Sequence, residues 1–590
     1  MGEVPFDFQR YFDTRIGHIG RHRCGFDGKF QAHVYPAEAR FGDFQANGVL
    51  PYAKSTGRNP RQLAQILLDA MLREKDFSGE IATAEIAGAG FINLKLSPST
   101  IDRWLRHYNS AEKLQSSLDT QWRGRTTVVD YSCPNSAKQM HVGHLRSLVI
   151  GDALQRILCF CGANVIRDNH LGDWGTQFGI LLRQLRAESI DLDTVPQEDA
   201  LELLEELYRR GNAAVNESKD ALEEARAELV ALQEGDGERM RLWRKINDLS
   251  YASFQEIYNL TAVQFDHILG ESFYRDSVGR VYEELQECHI AVENLGALVV
   301  FHPEHERFRE QPFIVRKSDG ASNYASTDLA TVLYRMEHFS ASDIIYVTDA
   351  RQRDHFEQLI LTVDKWFRAK NYPMPRLHHV YFGTVCGTDG KAIKTRAGGS
   401  VRLKQLFAEA IARARVAVEE KNPDFDEELR EKIARAVGVG AIKYGDLSQN
   451  RSSDYIFSLD KMLALEGNTA PYLQYAVARI HAIFRKRTEE NFSLSDGQSI
   501  APQTQEEHAL ARQLLRFPLA IRQTIEELRP HLLCNYLYDL AGTFSTFYNA
   551  NRIFCENSSD TQRRIIFCER TLLILKLGLR LLGIETLERM

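Results

Sequence analysis

Between residues 134 and 144 the chain reads PNSAKQMHVGH, which places Lys138, His141, Gly143 and His144 where an apolar stretch gives way to a helical one. The ring N–H groups of His141 and His144 can donate to phosphate oxygens, and Lys138 adds a mobile cation. A helix that starts here offers free backbone N–H groups and the positive end of its dipole. Gly143 removes a side chain where a flat base could approach. The chemistry these types suit is phosphate handling, against the plainer alternative of a turn with two surface histidines. A second group follows in NHLGDWGTQ (169–177), where His170, Gly172, Asp173, Gly175 and Gln177 allow close approach to a nucleotide or RNA end, or simply form a glycine-rich turn under Trp174. A third, DGKAIKTRAGG (389–399), offers Lys391 and Lys394 on a basic loop.

These groups need elements to hold them. TTVVDYS (126–132) reads as a buried strand, 141–162 as a helix closed by Gly162, and ANVIRDN (163–169) as the next strand. Strand, helix, strand at this spacing is a βαβ unit of a parallel sheet, whose ligands gather at the strand ends. DIIYVTD (343–349) and HHVYFG (378–383) are further strands. Residues 191–260 read as a charged helical insertion with a solvated surface. Before this region, 61–74 forms a helix with Leu63, Ile66, Leu67, Ala70 and Met71 on one face, and 80–97 a strand, turn and strand around Gly88 and Gly90. After it, apolar residues recur at helical spacing to the end of the chain. The expected fold class is therefore α/β and multidomain. A Rossmann-type parallel-sheet catalytic domain (120–455) carries the helical insertion, between an N-terminal α+β domain (1–110) and a C-terminal all-α domain (456–590).

The 590 residues carry a formal charge of −7, which argues against a uniformly basic coat for nucleic acid. Residues 191–240 alone sum to −10, so the rest of the chain is slightly positive. No apolar run spans a bilayer and no signal peptide is visible, so a cytoplasmic protein without a membrane partner is expected. The nine cysteines are scattered. The only close pair, Cys159 and Cys161, lacks the spacing of a zinc half-site, so no structural zinc and no protein-held metal are expected.

The first motif, at the end of the first strand, resembles the histidine signature of class I aminoacyl-tRNA synthetases. More widely, VVDYSCPNSAKQMHVGHLRS (128–147), RDNHLGDWGTQFG (167–179), RKSDGASNYASTDLA (316–330), VTDARQRDHF (347–356), FGDFQANG (41–48) and LGIETLERM (582–590) resemble arginyl-tRNA synthetases over nearly the whole chain. The resemblance implies an arginine–tRNA ligase, with arginyl-adenylate formed from L-arginine and ATP and then transferred to tRNA(Arg). ATP would be a substrate, accompanied by Mg²⁺, and the enzyme a monomer.

By the same resemblance His141, Gly143, His144, Gly172, Asp173 and Lys394 serve ATP. The lysines of 389–399 belong to the phosphate loop. One register of that loop begins at Lys391 and another at Ala392; the second loses a lysine for which Lys138 would compensate. A guanidinium substrate needs carboxylates. Asp328 matches the family position, with Tyr324 four residues earlier on the same helical face. Asp130 matches a second acidic position, and Asn135, His141 and Gln352 the α-amino and carboxylate contacts. Phe91 and Asn93 match a strand that meets a D-loop base, Tyr472 and Tyr475 match positions near the anticodon, and Met590 another tRNA contact. Core packing is the plainer role for these aromatics. Two other functions compete: a regulatory relative that has lost catalysis, and a nucleotidyltransferase of similar sheet topology.

Overall fold

The computed structural model describes residues 4–590 other than 319, 321, 388, 394–400, 490–491 and 493–497. The chain forms two units, one of residues 121–463 with 582–584, the other of residues 1–120 with 464–581 and 585–590. No described helix is long and apolar enough to cross a membrane.

The first unit is built on five parallel strands: β1 (Thr126–Asp130), β2 (Asn164–Asn169), β3 (His267–Ile268), β4 (Asp343–Tyr346) and β5 (Arg376–His379). They lie in the order β5-β4-β1-β2-β3, so the winding reverses between β1 and β4. The carboxyl ends of those two strands flank the crevice where such sheets bind ligands. Val128 and Val129 are fully buried, as a central strand covered on both faces requires. Helix α1 (Val142–Phe160) joins β1 to β2 and is buried on nearly every side, including at Arg146, Ser147, Asp152 and Gln155. Gly162, at φ +85°, follows it.

Helix α2 (Thr176–Ala187) leads into the insertion, which forms α3 (Gln197–Glu217), α4 (Lys219–Gln233) and α5 (Gly237–Thr261). The insertion is more than a solvated surface. Leu204, Leu207, Leu232, Leu242 and Ile246 close a core with Phe178, Leu181 and Leu182 of α2. Its acidic residues lie outside that core, in pairs such as Arg183–Glu224 and Arg239–Glu228. Beyond β3, a three-stranded antiparallel sheet precedes α6 (Tyr324–Phe339), and α7 (Arg353–Lys370) connects β4 to β5. Leu329, Val332, Ile344, Leu359 and Trp366 pack these elements around Val128. Strand β5 starts two residues before the apolar stretch at 378–383 and ends within it. As an edge strand it is only half-buried, and Arg376 at its start is held by Asp343 at 2.5 Å.

In the second unit, four antiparallel strands (Val34–Pro36, Phe44–Ala46, Phe91–Leu96, Ile81–Ala87, in that order) pack with helices of both chain ends. The helix Pro60–Arg73 buries Leu63, Ala64, Leu67, Leu68 and Met71, whereas Ile66 is exposed and Ala70 only half-buried. The buried face is thus rotated from the expected one, towards Ala64 and Leu68. Arginines of the C-terminal helices reach the N-terminal segment: Arg522 pairs with Asp7 at 3.0 Å, and Arg570 donates to the Leu105 carbonyl at 2.7 Å. The α/β sheet with an α+β N-terminal region and a helical C-terminal region is the expected fold class.

Candidate active site

The loop after β1 takes an uncommon path. Ser132, Cys133 and Ala137 all have positive φ (75°, 46° and 64°), and none is glycine. Such conformations persist where surrounding contacts over-determine them, and they cluster at functional sites. Here Ser132 N–H donates to Ser147 Oγ at 2.9 Å, Cys133 N–H to Asn169 Oδ1 at 3.1 Å, and Ser136 N–H to the Gly172 carbonyl at 3.1 Å. The loop delivers the chain to His141, the N-cap of α1.

The two histidines are locked as a pair. Gly143 N–H donates to His141 Nδ1 at 3.0 Å, and His141 N–H to His144 Nδ1 at 3.1 Å. With both Nδ1 atoms accepting, the hydrogen-bond network assigns the proton of each ring to Nε2, which is left as a donor. The rings are 4.0 Å apart. A Cβ on Gly143 would lie 2.8 Å from the His141 ring, so glycine makes room for that ring. Burial, then the His141 and Lys138 charges, push His144 down to about 3. Burial followed by Lys138 and Arg351 lowers His141. His144 therefore acts as a neutral donor. Its value lies below the unfolded one of about 6.5, so its contribution to stability is complete above that pH and is lost as pH falls through the folded value. A ¹⁵N titration is expected to show His144 neutral down to about pH 4; a midpoint near 6.5 would contradict this.

The 169–177 loop positions other groups. Gly172 pairs with residues 134–136 through both backbone groups, and a Cβ there would sit 2.0 Å from Asn135 Oδ1. Gly172 thus gives Asn135 its place. Asp173 is also committed: Ser272 donates to both carboxylate oxygens, through N at 2.9 Å and Oγ at 2.7 Å. These bonds tie it to the chain after β3.

The carboxylates sort into two sets. Asp130 is buried at the end of β1, directly opposite Asp168 of β2, and Arg335 of α6 bridges them. Arg335 Nη2 donates to Asp130 Oδ2 at 2.6 Å and to Asp168 Oδ2 at 2.8 Å. The guanidinium that Asp130 meets in this structure is the chain's own. Asp328 stands apart on α6, its Oδ2 held by His355 Nε2 of α7 at 2.5 Å. Tyr324, one turn earlier, is 64% exposed. Glu271 was not singled out in the sequence. It is 7% exposed and receives no hydrogen bond or ion pair from any described residue. Burial, then the charges of Asp328 and Asp173, push its carboxyl well up. Burial, then the charge of Glu271 and also that of Asp328, raise the Tyr324 hydroxyl, so the three lie near one another as an acidic cluster.

Gln352 is exposed just beyond the end of β4, at the start of α7. The Lys138 ammonium lies 5.0 Å from the centre of the Tyr208 ring. Lys391 is exposed in a tight turn, its N–H donating to Asp389 Oδ1 at 3.1 Å. Lys394 lies outside the described residues. The chain beyond it rejoins the site at once: Val142 N–H donates to the Val401 carbonyl at 2.9 Å, beside His141.

The five expected tRNA residues all belong to the second unit. Phe91 is half-buried; Asn93 is buried, with Oδ1 accepting from Gln45 at 2.7 Å. Asn93 lines a cavity of about 340 Å³ with Arg40, Asp43, Lys95, His508 and Arg512. Tyr472 packs on Tyr538, whereas Tyr475 is exposed with the Arg479 guanidinium 4.9 Å from its ring centre. Met590 is half-buried.

A reversing parallel sheet with two donor histidines at the helix after its central strand is the catalytic frame of the class I aminoacyl-tRNA synthetases. Residues 110–459 match the family model described as the catalytic domain of class I tRNA synthetases (R). Residues 22–96 match the arginyl tRNA synthetase N terminal domain, and residues 473–590 the DALR anticodon binding domain. The chain is 43% identical over 565 residues to the arginine–tRNA ligase of Enterobacter sp. (strain 638), covering 94% of this chain and 95% of that one. The arginyl-tRNA synthetase structure from Plasmodium falciparum superposes with a TM-score of 0.81 at 28% identity, over the full length of both chains. That from Thermus thermophilus has the same fold, with a TM-score of 0.81 at 24% identity, covering 99% of this chain and 100% of that one. The chain belongs to the arginyl-tRNA synthetase family.

Proposed function

We propose that the protein is an arginine–tRNA ligase, and that one observation carries the choice of amino acid: the acidic cluster of Asp328, Glu271 and Tyr324. A forked, planar cation is the side chain such a cluster suits. ATP, with Mg²⁺ riding on its phosphates, binds at the start of α1. The arginine carboxylate attacks the α-phosphorus and pyrophosphate leaves as its bridging bond breaks. The Nε2–H groups of His141 and His144 and the Lys138 ammonium meet the charge that develops on the phosphates, while the lysines of 389–399 cover them. Asn135, His141 and Gln352 hold the α-amino and carboxylate ends, which supplies the alignment an in-line displacement needs. A ribose hydroxyl of the tRNA end then attacks the arginyl carbonyl and AMP departs. Phe91, Asn93, Tyr472, Tyr475 and Met590 carry tRNA contacts. The chain acts as a monomer in the cytoplasm, which light scattering would check.

Charging of tRNA(Arg) with labelled arginine tests the reading; a folded sample that charges no tRNA would reject it. The regulatory alternative lacks support from the site, because the histidine pair, Asp328 and Lys138 are all in place. Glu271 adds a pH signature. Its raised carboxyl loses its proton more readily once a guanidinium arrives, so arginine affinity is expected to rise with pH and binding to release protons. Calorimetry in buffers of different ionisation enthalpy measures this. Glu271→Gln should abolish the release, and a proton count unchanged in that variant would contradict the assignment.

A further inference from the structure

Helix α5 of the insertion touches both loops that leave the central strands, and it does so through one row of side chains. Trp243, Ser250 and Tyr251, and Tyr258 recur at intervals of seven or eight residues, which puts them on one helix face. Ser250 is fully buried; its Oγ accepts from Ala137 N–H at 2.9 Å and donates to the Ile246 carbonyl at 2.7 Å. The Tyr258 hydroxyl lies 3.0 Å from Ser132 Oγ and accepts from Asn169 Nδ2 at 3.0 Å. Trp243 Nε1 donates to the Asp173 carbonyl at 2.8 Å, and Tyr251 OH to Asp173 Oδ2 at 3.3 Å.

The contacts with the β1 loop fall where it most needs support. Ser132 and Ala137 are two of its three non-glycine residues at positive φ, one near each end of the detour. Left-handed backbone at such residues is held only by surroundings that over-determine it. A helix packed for burial alone would turn apolar side chains to the loop; α5 turns hydroxyls to it. Lys138, just past Ala137, meets the insertion again at the ring of Tyr208.

We propose that α5 is the positioning element of the histidine loop, with Ser250 and Tyr258 as positioning residues that hold 132–137 on its strained path. Asn135, Lys138 and the histidine pair then meet the substrates already in place. The inference rests on the ligase reading, and it gives the insertion a role that its surface charge does not reveal.

Tyr258→Phe tests it, because it keeps the ring and its edge contact with Phe265 (5.0 Å) and removes only the hydroxyl. Ser250→Ala is the second variant; should it fail to fold, Tyr258→Phe decides. The readout is the pre-steady-state rate constant for arginine-dependent pyrophosphate release with tRNA present, which does not depend on the fraction of active protein. Alongside it goes the inhibition constant of n-butylguanidine, which carries the guanidinium without the α-amino and carboxylate groups. The expected result is a rate constant lowered about tenfold or more, with n-butylguanidine inhibition within about twofold of the parent. Unchanged rate constants would overturn the proposal. So would inhibition weakened as much as the rate, since that marks a general loss of the site. Absence of pyrophosphate release from the parent chain would remove the ligase reading and this inference together; release by parent and variants alike removes the inference alone.

Discussion

Asp328→Ala is expected to lower kcat/KM for arginine by roughly 30- to 5,000-fold, with ATP affinity within about twofold of the parent. The range corresponds to the loss of about 2–5 kcal/mol when one partner of a desolvated charge pair is truncated. The selectivity follows from position. Asp328 is on α6, fixed by His355 of α7, whereas the groups proposed to face the phosphates belong to the β1 loop and the start of α1. Removing the carboxylate strands the substrate guanidinium without its charge partner and leaves the histidine pair undisturbed. The measurement is steady-state kinetics with arginine varied, paired with equilibrium ATP binding. An equal loss of ATP affinity would count against the assigned role.

The second large effect concerns stability. Arg335→Leu removes the only described cation between Asp130 and Asp168, two carboxylates facing each other across parallel strands with almost no solvent exposure. Breaking such a buried arrangement by removing one partner costs about 3–5 kcal/mol. The loss should depend on pH with a definite sign. Burial foremost raises the Asp168 carboxyl even with Arg335 present, and without Arg335, whose charge lowers it, that carboxyl rises further. A carboxyl raised in the folded state takes up a proton there first, so the deficit shrinks as pH falls and grows as pH rises. Urea melts across the range pH ~5 to ~8 should show this, whereas a deficit below about 1 kcal/mol, or one independent of pH, would contradict the account.

The same triad shows what a sequence does and does not reveal. A carboxylate at the end of a strand looks identical whether its guanidinium partner is a substrate or an arginine 205 residues away. Asp130 is therefore legible as an acidic position, and its Arg335 partner is not. Glu271 was invisible for the opposite reason: nothing in GESFY marks it, and its meaning comes from burial beside Asp328 without a partner. Tyr324 and Asp328 were legible because a helical spacing of four puts them on one face. Helix α1 was legible almost to the residue, since the N-cap and Gly162 are both local signals. Edge strand β5 was not, because it is only half-buried and its start is polar.

The insertion was read as a solvated face. Its charge is indeed outside, yet charge periodicity carries no trace of Ser250 and Tyr258 reaching two distant loops. The formal charge of −7 likewise says little about tRNA, since residues 191–240 carry a net −10 and the five proposed tRNA residues lie in the other unit. Binding by placed side chains and stacking predicts a salt dependence set by phosphate contacts rather than by net charge.

The account's central claim is that the β1 loop, the histidine pair and the acidic cluster together activate arginine. Arginine-dependent exchange of pyrophosphate into ATP, measured with and without tRNA(Arg), tests it most directly. The account predicts exchange when tRNA is present and none without it. No exchange under either condition, from a folded sample, would contradict it.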